Sequence, residues 1–153
     1  NGIAQSEIHR SYYSYTMSID LDRVGVDGEI NIAEEEKVER VKVLLDSVHY
    51  LYRDIKGRRE NFSPLFIIGG RYGRKNPFFE NRVKVDENKI NVSTLQELLE
   101  DDNIRNYTYA GITAGIFDNE DKLKEVLRAE SVGAVFNHLK EEVEQYYGEG
   151  NQG

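Results

Sequence analysis

Polar and apolar residues alternate strictly between Ser11 and Asp22. Tyr13, Tyr15, Met17, Ile19 and Leu21 fall on one side and Ser14, Thr16, Ser18 and Asp20 on the other, the period of a half-buried strand. Gly25, Asp27 and Gly28 interrupt it. The period then changes. Val38, Val41, Leu44, Leu45, Val48, Leu51, Tyr52 and Ile55 recur at three- and four-residue spacing, predicting a helix over about 33–56. Asn31 with Glu34 resembles its N-cap, Glu34 to Glu36 suit the positive end of its dipole, and Gly57 suits its stop. Pro64 to Ile68 is apolar on both faces, as a central strand requires, and runs into Gly69 and Gly70. Those glycines either admit a close backbone or make a turn.

Farther along, Val83 to Val85 and Ile90 to Val92 predict a hairpin around 86–89. Ser93 and Gln96 open a short helix. Tyr107 to Phe117 predicts a strand in which Gly111 and Gly115 leave flat places for a helix or another backbone. Helices over about 120–128 and 132–147 follow, with Leu123, Val126, Leu127, Val135, Phe136, Leu139 and Val143 facing inward. These elements predict one α+β domain over residues 1–147: an antiparallel sheet with helices packed on one face, ferredoxin-like or RNA-recognition-motif-like and incomplete. Residues 148–153 are expected to form a disordered tail.

With 153 residues, 39% hydrophobic and 31% charged, the chain is large enough for one real core and small for two. It has no cysteine, which excludes disulfides and thiolate-bound zinc and accords with a cytoplasmic setting. No apolar window is long enough for a membrane span. The start, Asn1-Gly2-Ile3, is read as that of a fragment or processed piece.

Charge changes the picture most. Between Arg53 and Lys84 there are nine Lys or Arg against three carboxylates, a local charge of +6 in a chain whose net charge is −8. Basic character is therefore concentrated in one segment, either to meet a polyanion or as a solvated surface. Arg53, Lys56, Arg58 and Arg59 cluster at the expected helix exit. Arg71, Tyr72, Arg74, Lys75 and Asn76 form a loop with the composition of a phosphate contact. Tyr12, beside His9 and Arg10, is placed to stack on a base or to cover a sheet edge. The Walker pattern and the GxSxG elbow are both missing. His9, His49 and His138 are scattered, so no metal, cofactor or nucleophilic site is expected. His49 is expected as a packed or partly exposed ring. Metal-free RNA scission would have His9 beside Arg10 as its one base candidate.

Three continuous strings carry a resemblance: SEIHRSYYSYTMSIDLDRVG (6 to 25), LYRDIKGRRENFSPLFIIGGRY (51 to 72) and KNPFFENRVKV (75 to 85). Together, from Glu7 to about Phe117, the chain resembles the carboxy-terminal half of the DevR family of CRISPR-associated autoregulators. The resemblance implies a non-catalytic backbone subunit of the type I-B Cascade complex, several copies of which grip one CRISPR RNA by its phosphates and leave bases free to pair with target DNA. It implies as partners the CRISPR RNA, other copies of the subunit, other Cascade subunits and, through the guide, target DNA. It leaves as alternatives a metal-independent CRISPR RNA endoribonuclease of the same fold superfamily and a protein-interaction fragment.

Overall fold

The computed structural model describes residues 12–149, apart from the side chains of residues 53 and 55. His9, Arg10 and most of the expected tail lie outside the described residues. Two core clusters organise the chain, one on each side of a small sheet.

The sheet has the order β5-β8-β9, with β5 Phe66–Gly70 antiparallel to β8 Thr108–Ile112, and β8 parallel to the two-residue β9 Glu130–Ser131. Against one face lie the two long helices, α1 Glu34–His49 and α5 Val132–Gly148. Their facing stripes bury Val41, Leu45, Phe136 and Val143, with Ile67 of β5 packed on this cluster. Bridges from Lys42 to Glu144 and from Lys140 to Asp46 tie the helices together. The other face receives Phe66, Ile68, Ala110 and Ile112. It is covered by the hairpin of β6 Val85–Asp86 and β7 Lys89–Ile90 with α2 Ser93–Leu98, α3 Asp102–Arg105 and α4 Glu120–Leu127. This is the α+β class that the pattern predicts.

Close packing explains Gly111. A Cβ there would meet Val135 Cγ2 at 2.7 Å and the Ser131 carbonyl at 3.0 Å, so its bareness lets the start of α5 lie directly on the sheet. Gly70 likewise has the Tyr107 carbonyl where a side chain would sit. Of the two readings open for this glycine, close approach is the one found, and the protein's own backbone makes it.

Four expectations are corrected. The helix ends at His49 rather than near residue 56, and Lys56 and Gly57, both with positive φ (50° and 77°), form the turn of a hairpin instead of a helix stop. That hairpin pairs β3 Tyr52–Ile55 with β4 Arg58–Asn61, and the Phe62 amide donates to the Leu51 carbonyl at 2.8 Å across its base. Two left-handed residues in a two-residue turn match the twist of antiparallel strands, so the backbone partners that a helix would use are taken by the opposite strand. At the helix start, Ala33 is the N-cap and no side chain caps it, because Asn31 belongs to β2 Ile30–Asn31, which pairs with β1 Val26–Asp27. The second hairpin turns at Glu87 and Asn88, not over four residues.

The fourth correction concerns residues 11–22. Residues 12–20 form no strand, and only a short 3-10 turn, Leu21–Arg23, follows. Tyr13 (84% exposed), Tyr15 and Met17 lie open to solvent, whereas Ile19 and Leu21 reach the α1–α5 core. Tyr147, its ionisation pushed up to about 12 chiefly by burial, donates to the Leu21 carbonyl at 2.6 Å and pins the end of the segment. A period-two pattern supplies a strand's side-chain order but no edge to pair with. Among the described residues no partner edge meets this one. An open cleft of about 2500 Å³ is lined by residues 12–22, by residues 60–79, which include β5, and by side chains of both cores.

His49 is the packed ring expected, stacked on Phe136 at 4.5 Å and on Tyr50 at 4.0 Å. Burial, and then the nearby Lys140 charge, lower its pKa, which favours the neutral ring. No helix among the described residues is long and apolar enough to cross a membrane.

Candidate nucleic-acid interface

The basic segment divides at β5 into two groups that differ in how much of their charge is already used. On the near side, hairpin β3–β4 is exposed at every β4 position. Cross-strand register sets Tyr52 opposite Asn61 and Asp54 opposite Arg59 on one face, and residue 53 opposite Glu60 and residue 55 opposite Arg58 on the other. Lys56 at the turn is exposed and held in the left-handed region. Arg58 is exposed and makes no ion pair with another described residue. Arg59 lies 3.7 Å from Asp54, and its guanidinium sits 4.2 Å above the Tyr52 ring. Both partners of that ion pair are about two-thirds exposed, so its contribution is small.

Tyr52 is one of the residues that sequence periodicity placed wrongly. Its spacing from Val48 fits a helical stripe, yet its ring stands 52% exposed on the hairpin and carries Arg59 on its face. Lys-Gly flanked by Ile and Arg was the available signal for a two-residue turn, weaker than Asn-Gly or Asp-Gly.

On the far side, the loop leaving β5 ties three of its five candidate side chains, Arg71, Tyr72 and Lys75, to partners within the protein. Arg71 Nε is 3.0 Å from Glu142 and its guanidinium 3.8 Å from Glu149, both at the C-terminal part of α5 or just beyond it. Tyr109 donates to Glu142 at 2.9 Å, so the same carboxylate serves strand β8. Thr108 donates its hydroxyl hydrogen to the Ile104 carbonyl, so at 2.7 Å it accepts from Tyr72. Tyr72 also packs edge-on against Phe78 at 5.1 Å. Burial pushes the Tyr72 phenol up to about 12. Lys75 Nζ reaches Asp22 at 2.9 Å and Asp20 at 3.8 Å. That pairing lowers the Asp22 pKa and raises that of Lys75. Arg74 and Asn76 are exposed, and Arg74 makes no ion pair with another described residue.

Tyr12 also faces inward. Its ring tilts on Phe117 at 5.5 Å, and its hydroxyl donates to Asn88, which itself donates to the Ile116 carbonyl at 2.8 Å. Of the residues singled out in the sequence, the structure gathers Lys56, Arg58 and Arg59 on one exposed hairpin and leaves Arg74 and Asn76 exposed at the opposite end of β5. It engages Tyr12, Arg71, Tyr72 and Lys75 within the protein. Residue 53 belongs to the same hairpin, in strand β3.

The fold defines an α+β protein with a small mixed sheet between helices and a cationic hairpin at one end of its edge strand. Residues 3–98, well over half of the chain, match the family model described as "CRISPR-associated negative auto-regulator DevR/Csa2", and the chain belongs to that family. No curated protein and no solved structure matches it. Family membership gives it a CRISPR-associated role.

Proposed function

We propose that this chain is an RNA-binding, non-catalytic part of a CRISPR ribonucleoprotein, a type I-B Cascade backbone subunit that holds CRISPR RNA by its phosphates without reading sequence. The carrying observation is hairpin β3–β4, where Lys56, Arg58 and Arg59 stand exposed with one weak ion pair among them. Exposed cations of this kind release counterions when they meet phosphates, and the exposed Tyr52 ring offers a base-independent stacking surface beside them. Arg74 and Asn76 supply further donors beyond β5. Base pairing then carries the specificity, so no base-reading side chain is required. In this role the protein works in the cytoplasm with CRISPR RNA, further copies of itself and other Cascade subunits, and meets target DNA through the guide.

The test is a salt titration of single-stranded RNA binding with two unrelated sequences. Arg58→Glu with Arg59→Glu weakens both alike and flattens log affinity against log salt by about 1–2, as expected for the loss of two phosphate contacts. An unchanged slope removes the hairpin from the contact surface. Replacing His9 with Ala should leave RNA binding intact; a cleavage activity abolished by that change would replace this reading with a ribonuclease.

A further inference from the structure

Where α1 ends, a column of aromatic rings runs from the core to solvent. Phe136 of α5 is 1% exposed, and the His49 ring lies almost parallel to it, 4.5 Å away at 8°. His49 in turn carries the Tyr50 ring at 4.0 Å and 24°. The imidazole is seated over the first turn of α5, its Cε1 lying 3.8 Å from the place a Cβ on Gly133 would take. Its lowered pKa favours an uncharged column.

Tyr50 ends that column. One face of its ring rests on His49, yet the residue is 64% exposed, so among the described residues the other face stands open. Its amide donates to the Asp46 carbonyl at 2.9 Å, which fixes the backbone that bears it. A ring held at its backbone and on one face loses little freedom when a ligand lies on the other. Core packing accounts for His49 but leaves the outer face of Tyr50 without a use.

The neighbourhood of that face decides what it suits. Tyr50 precedes Tyr52 by two residues, at most about 7 Å of chain, and the Arg59 guanidinium sits over Tyr52. Between them, the Leu51 carbonyl accepts the Phe62 amide at the root of the cationic hairpin. The nearest carboxylates along the chain are engaged, Asp46 by Lys140 and Asp54 by Arg59. A flat, open, preordered ring beside unspent cations matches a nucleobase whose phosphate turns toward the hairpin. An apolar protein side chain would need neither the plane nor the cations.

We propose that Tyr50 is a base-stacking position for single-stranded RNA, held flat by the Phe136–His49–Tyr50 column beside the hairpin that grips phosphate. The proposal rests on the RNA-binding reading above and adds to it a contact with a base. Every base has a π face, so this contact carries no sequence code. Tyr52 differs in having one face taken by Arg59.

The test uses single-stranded RNA with 2-aminopurine placed at each interior position in turn, whose fluorescence falls on stacking, and measures affinity across salt concentrations. Tyr50→Leu should abolish the quench and weaken binding about tenfold, the scale of one stacked base, with the salt slope unchanged. Tyr50→Phe should keep both. Arg58→Glu with Arg59→Glu changes the slope instead, so failure of the phosphate grip and failure of the stack are read separately. A quench and affinity that survive Tyr50→Leu overturn the proposal. So does a quench that disappears only in Tyr52→Leu, or a slope that falls in Tyr50→Leu as far as in the arginine variant. If the quench survives while Tyr50→Leu abolishes self-association of the protein, the ring belongs to a polypeptide contact and the proposal is overturned as well.

Discussion

The hairpin before β5 and the loop after it start from similar chemistry, arginines and a lysine set among glycine and tyrosine, and end with opposite fates. In the hairpin, two short strands pair only with each other among the described residues and leave Lys56, Arg58 and Arg59 to solvent. In the loop, Arg71 is drawn onto α5 by Glu142 and Lys75 onto the start of the chain by Asp20 and Asp22. The acidic remainder of the molecule is thus not spread evenly against its basic segment. It pairs Arg71 and Lys75 at one end of β5, where Arg74 alone makes no ion pair with a described residue, and at the other end meets Arg59 only through the exposed Asp54, so local charge alone does not identify a binding surface. What identifies it is charge that the fold has left without a carboxylate.

Four changes would break or sharpen this contrast. The largest effect is expected from Arg71→Ala, because Glu142 and Arg71 are each under a third exposed and removal strands a partly buried carboxylate. A loss of about 1–3 kcal/mol in chemical denaturation is expected, with the salt slope of RNA binding unchanged. A fallen slope would move Arg71 into the RNA contact. Next is Gly57→Ala, which puts a side chain at φ 77° in the hairpin turn. It should cost about 1 kcal/mol of hairpin order, read as faster amide exchange in residues 52–61 and weaker RNA binding with global stability almost unchanged. Smaller still, a double-mutant cycle of Tyr52→Ala and Arg59→Ala should give a coupling of about 0.5–1 kcal/mol, the value for an exposed cation over a ring. Zero coupling would detach the two residues in solution.

The smallest effect is predicted at Lys75. Its partner Asp22 has a lowered pKa, so the pairing contributes above the ordinary carboxylate range and is lost as pH falls through the lowered folded value. Lys75 is raised, so its share is present below the ordinary lysine value and is lost as pH rises through the raised one. Between these limits stability should be flat, and Lys75→Ala should leave the thermal midpoint within error at neutral pH. A pH-dependent midpoint near neutrality that disappears in the variant would contradict this.

How much of this was legible beforehand depends on the range of the interaction. The helices at Glu120–Leu127 and Val132–Gly148 and the strands around Phe66 and Thr108 follow from local periodicity and are present. The start of α5 against Gly111 was signalled by the bare position itself. Leu51, Tyr52 and Ile55 misled because three residues at helical spacing also fit a turn followed by a strand, and the Lys56-Gly57 backbone decided between them. The neutralisation of Arg71 was invisible because Glu142 lies 71 positions away and is brought close only by the packing of α5 on β5 and β8. The alternation at 11–22 was real as a pattern, but pairing belongs to two edges, and the second edge is not encoded locally.

The central claim is that the spared cations, and not the neutralised ones, meet RNA. It is tested most directly by measuring RNA affinity against salt side by side for Lys56→Ala/Arg58→Ala/Arg59→Ala and for Arg71→Ala/Lys75→Ala. The hairpin variant should lose about 2 in the slope, near 0.7 for each single-strand phosphate contact, while the loop variant keeps the slope of the unaltered chain. Equal losses, or a loss confined to the loop variant, would contradict it.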